Sequence, residues 1–179
     1  MDDRSKKIFL AICIIVPFVL YCVYYYGVMI KNAPYKFSEF KSIQLKYGLG
    51  NNLVNQYDSQ SGAYQYADEN DSLVKTTVKL SKDELLYLHR KASELGFWNF
   101  PEVLSPTKPL HQHSPHYYIE YSYVRKHKHV LFDMDYDKDP KLKNAITQLI
   151  KELSKTISDA QDRSSKQADI PKNGRRKPN

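Results

Sequence analysis

Five of the six histidines fall between His111 and His129, and aspartates crowd the stretch that follows. Imidazole combined with carboxylate is the ligand chemistry of zinc and other divalent transition metals, with bonds of about 2.0–2.2 Å. The five histidines cannot all meet. If 117–124 pairs with 128–134 around a turn, His127 and His129 lie at the turn end. His116 then lies at the open end, about 25 Å away at roughly 3.3 Å per residue. The same register sets His116 opposite Tyr136, beside Asp135 and Asp137. One mixed metal site follows: His111 and His113 from a proline-rich loop, His116, and a carboxylate from Asp135 or Asp137. Zinc binding of this kind would survive loss of His127 and His129. The plainer reading of the same residues is a set of exposed, unliganded histidines.

Two other stretches invite a chemical reading. The run 133–139, DMDYDKD, begins like a calcium loop, but Lys138 stands where glycine is required and Asn144 where a bidentate glutamate belongs. A solvated strand end running into a helix cap accounts for it better. Phe97, Trp98 and Phe100 form a dense aromatic cluster that either lines a ligand groove or locks a helix end onto a sheet. Glycine-rich phosphate loops, HExxH, GxSxG and Walker patterns are absent from the sequence. Both cysteines, Cys13 and Cys22, lie in one apolar run, so the rest of the chain has no thiol chemistry. The expectation is a binding module and not an enzyme, with zinc or another divalent metal as the one cofactor to consider.

The elements that must position these residues follow from pattern. Residues 8–30 contain no charged side chain. As a helix they span roughly 34 Å, which predicts a transmembrane segment contacting lipid. Residues 1–7 then form a cytoplasmic head, 31–39 a linker, 40–160 an extracytoplasmic domain and 161–179 a disordered basic tail. This makes a single-pass cell-membrane protein, with another envelope protein as its partner. The formal charge is +7, but residues 161–179 hold six basic and two acidic side chains. A basic nucleic-acid-binding face on the domain is therefore not indicated.

Within 40–160, alternation predicts strands at 40–47, 62–67, 72–80, 117–124 and 128–134. The polar stretch 53–61 reads as loop. Ser81 and Glu84 form a capping box ahead of a helix whose stripe is Leu85, Leu88, Ala92 and Leu95. Gly96 fits the left-handed residue that ends such a helix. Asp139 caps a last helix that starts at Pro140, with Leu142, Ile146, Leu149, Leu153 and Ile157 on one face. The fold class is α+β: one antiparallel sheet of about five strands with both helices on one face. The stretch LSKDELLYLHRKASELGFWNFPE, with the preceding hairpin and apolar run, resembles small membrane-anchored or lipoprotein-like bacterial domains of unknown function. The likeness is one of architecture over residues 40–158. It implies an exported domain and no particular activity.

Overall fold

The computed structural model describes residues 3–31, 35–108 and 114–168. It divides into two units, residues 1–35 and 36–179. The first unit is the helix α1, Asp3–Lys31. Its described side chains over residues 11–26 are apolar and largely exposed. Among the described residues no helix is long and apolar enough to cross a membrane. The expected transmembrane helix at 8–30 is corrected accordingly, and with it the single-pass topology and the extracytoplasmic placement.

The second unit is α+β. Its order is β1 (Phe40–Leu49), β2 (Asn52–Asp58), β3 (Ala63–Ala67), β4 (Leu73–Thr77), α2 (Lys82–Glu94), β5 (Val103–Leu104), β6 (Pro115–Tyr123), β7 (His127–Asp133) and α3 (Pro140–Ala168). The seven strands make one sheet in the order β4-β3-β2-β1-β6-β7-β5. All neighbours are antiparallel except β5 and β7, so the sheet is mixed where a five-stranded antiparallel one was expected.

The two added strands have different origins. β2 occupies the polar stretch read as loop, and Tyr57 is its one fully buried side chain. Its polar residues are strand-compatible because the neighbours supply partners. The Asn55 amide donates to the Tyr47 carbonyl at 3.2 Å, and its oxygen accepts from the Ala67 amide at 3.0 Å. β1 reaches β2 through a turn at Gly50 and Asn51, just after a register shift at Gly48, where a Cβ would sit 1.9 Å from the Asn52 carbonyl oxygen. β5 is two residues long and adds in parallel at the β7 edge, next to a Leu131 N–H bond to the Glu102 carbonyl at 2.8 Å.

The helix signals hold at atomic level. Ser81 Oγ accepts from the Glu84 amide at 3.3 Å, and Glu84 Oε2 accepts from the Ser81 amide at 2.8 Å. Gly96 adopts φ 76°, the left-handed region where a Cβ is costly. Asp139 Oδ1 accepts from the Lys141 and Leu142 amides. α3 continues to Ala168, past the point where the sequence reading begins a disordered tail; residues 169–179 lie outside the described residues.

Both α2 and α3 meet the same sheet face. Tyr121 donates from β6 to the Leu88 carbonyl of α2, and Gln161 of α3 donates to the Tyr66 hydroxyl of β3, both at 3.2 Å. Between them lies the core: Ile43, Leu45, Ile119 and Phe132 from strands, Leu88, Ile146, Leu149 and Leu153 from helices, all at most 1% exposed. At roughly 1.5–3 kcal/mol per fully buried large apolar side chain, this layer dominates the stability of the unit. Alternation in the strands sends the other side chains to the opposite face, which neither α2 nor α3 covers.

Candidate functional site

The face that α2 and α3 leave open carries the remaining side chains of the central strands. Register decides who meets there. Lys46 of β1 pairs with Tyr118 of β6, and Gln44 with Glu120. Across the next seam Glu120 pairs with His129 of β7, and Ser122 with His127. The result is a continuous row. Lys46 Nζ lies 5.5 Å from the Tyr118 ring centroid. Tyr118 stacks on His129 at 5.8 Å, and His129 on His127 at 5.9 Å with the imidazoles only 18° from parallel.

Glu120 sits among these rings. Its carboxylate accepts from the hydroxyls of Tyr118 and Ser122. Partial burial pushes its pKa up, but the two hydroxyls and the neighbouring His127 and His129 outweigh this and hold it below the usual glutamate range. It is therefore ionised at neutral pH. Tyr118 moves the other way, raised by burial and by its bond to Glu120. Two shallow depressions flank the row. One of about 440 Å³ is lined by Lys41, Gln44, Gln60, Glu120, Arg125 and His127. The other, about 290 Å³, runs over β1–β4 beside Lys46, Gln56, Gln65 and Lys75.

The residues singled out for metal binding are distributed differently. His111 and His113 lie outside the described residues. His116 pairs with Asp133 and not with Tyr136, a register three residues away from the expected one. The turn explains the shift: Tyr123 N donates to the Lys126 carbonyl at 2.8 Å, so residues 123–126 form the turn and pairing starts at Ser122 with His127. The alternation already excluded the expected register, which sets Ile119 opposite Asp133. Only an odd offset places Ile119 against Val130, as observed.

His116 Nε2 lies 3.0 Å from Asp133 Oδ2. Asp133 also accepts from the Ser114 hydroxyl at 2.6 Å and the Asp135 amide at 2.8 Å. Burial raises its pKa, yet these donors prevail and the carboxyl is held below its ordinary range. Ser114 faces the carboxylate and not the imidazole, so this trio is no nucleophile–base relay. Asp137 is committed elsewhere: its Oδ1 accepts from the Thr107 amide and hydroxyl at 2.9 and 3.1 Å. Those bonds keep its carboxyl low and tie the proline-rich segment to the β7–α3 connection. Among the described residues no three His, Cys, Asp or Glu side chains converge on a common point.

The aromatic cluster is mainly core. Phe97 is 0% and Phe100 7% exposed, and only Trp98 keeps a half-open surface. Phe97 and Trp98 pack on the Tyr121 ring at 5.2 and 5.3 Å, and Trp98 also meets the buried His89 at 5.5 Å. These rings lock the end of α2 onto β6. The site that sequence reasoning missed is the Glu120–His127–His129 row. Its signal was a His-x-His spacing on a strand, legible as one face only once the partner strand's register was known. The chain matches no protein-family model and no curated protein.

Proposed function

We propose that this chain is a non-catalytic binding module and that the uncovered sheet face is its contact surface for another protein. The single observation that supports this is the row Lys46–Tyr118–His129–His127 on a face left open by both helices. A polar outer face is ordinary for an antiparallel sheet and carries little by itself. A row of stacked rings is different. Rings held by their neighbours present contact area with little rotamer freedom left to lose on binding. Tyrosine is also enriched in the buried centres of interfaces. The flanking depressions are broad and open, a form suited to an extended macromolecular surface more than to a small molecule buried on most sides.

A photo-crosslinking residue at Lys46 or Gln56 tests the reading in the native cell, with Lys151 on the exposed side of α3 as control. The expected result is a discrete protein adduct from the sheet positions and none from Lys151, lost when Tyr118 is replaced by alanine. Adducts from Lys151 alone, or none from either position, would refute it.

A further inference from the structure

We propose that the open face binds an extended acidic segment of the partner protein, with Lys46 and Lys75 each taking one carboxylate. The inference rests on the protein-contact reading and names the chemistry of the partner. Register puts four side chains in one line across four strands: Lys46 of β1 beside Gln56 of β2, Gln56 beside Gln65 of β3, and Gln65 beside Lys75 of β4. All four line the depression of about 290 Å³. Neighbouring strands lie about 4.8 Å apart, so the two lysines are rooted about 14 Å from each other. In an extended chain, residues four apart are separated by about 13 Å and point to the same side. A segment crossing the strands with acidic residues at that spacing therefore reaches both lysines.

The charges of the face are unmatched in the direction this requires. Its carboxylates already have donors: Asp58 accepts from the Gln60 amide, Glu120 from the Tyr118 and Ser122 hydroxyls, and Asp133 from the Ser114 hydroxyl with His116 beside it. Among the described residues, neither Lys46 nor Lys75 has a carboxylate at ion-pair distance. Between them, Gln56 and Gln65 each donate one amide proton to a backbone carbonyl, of Leu53 and Val54 respectively. Those bonds hold both amides in place and leave their oxygens to the backbone of an incoming segment. Asp58 lines the same depression two residues along β2 from Gln56 and repels a carboxylate set over it, which directs the crossing to the Gln56–Gln65 line.

The probe is a fluorescein-labelled heptapeptide with glutamate at its second and sixth positions and serine or threonine elsewhere. It is titrated with the full-length chain and read by fluorescence anisotropy. We expect saturable binding that weakens as salt rises from about 0.02 to about 0.3 M. Exposed ion pairs are individually weak, so Lys46→Gln and Lys75→Gln each loosen it about two- to fivefold, and the pair together about tenfold. A peptide with its glutamates side by side reaches one lysine only and binds about threefold more weakly. Lys151→Gln on α3 leaves binding unchanged, and melting curves check that the variants fold. No binding by the parent chain, binding that survives the double lysine variant, or equal binding of the two spacings overturns the proposal. So does sedimentation with phosphatidylserine vesicles, or dimerisation, that needs both lysines and occurs without peptide binding; these would assign the face to a lipid surface or to a second copy. Crosslinked adducts from Gln56 with no preference for the acidic peptide would overturn the acidic segment and leave the contact surface standing.

Discussion

Replacing Asp133 by asparagine removes the charge on which three donors converge: the Ser114 hydroxyl, the Asp135 amide and His116 Nε2. The side chain is only 17% exposed, so solvent replaces these bonds poorly. Hydrogen bonds to a charged group contribute about 1.5–3 kcal/mol, and the amide retains one of the two acceptor oxygens. We therefore expect a loss of about 1.5–3 kcal/mol near neutral pH, seen as a fall in Tm of roughly 5–15 °C. The pH dependence has a definite sign. A carboxyl whose folded pKa is depressed contributes stability that is fully present above its unfolded value of about 3.9 and is lost as pH falls through the folded value. Asparagine cannot titrate, so the gap between variant and parent should narrow as pH falls below about 4. Urea denaturation across that range measures it, and the same series on His116→Gln separates the imidazole's share. A gap under about 0.5 kcal/mol at neutral pH, or one that does not narrow in acid, would show that the cluster does not hold β6 to β7 in this way.

Leu88→Ala should cost about 2–5 kcal/mol by chemical denaturation, because Leu88 is 0% exposed between α2 and the sheet. Gly48→Ala should cost at least the roughly 1–3 kcal/mol of overpacking, since the new Cβ would meet the Asn52 backbone oxygen at 1.9 Å; an unchanged melting curve would mean that the Asn52 backbone gives way to the methyl and that close approach there does not require glycine. Ser81→Ala should lower stability by about 1 kcal/mol through loss of the α2 cap, with Ser81→Asp largely restoring it.

Local signals carried what the sequence by itself determined. The Ser81–Glu84 box, the left-handed Gly96 and the Asp139 cap each depend on groups within four residues of one another, so the chain alone specifies them. Alternation likewise separates core-facing from outward-facing residues in β1, β6 and β7. The α+β class and the packing of both helices on one face follow from those stripes. Tertiary structure decided the rest. β2 is a strand because β1 and β3 satisfy its backbone and its amides, which no property of a polar stretch announces. β5 exists because β7 has an open edge to receive two residues in parallel. The charge-free run 8–30 reads as a membrane span, yet among the described residues no helix is long and apolar enough to cross a membrane. Most consequential is the β6–β7 register. A three-residue shift took His116 away from Asp135 and Asp137 to Asp133, and aligned Glu120 with His129. Pairing register is set by the turn that closes the hairpin and by the core it must face, and both are contacts between residues distant in the chain.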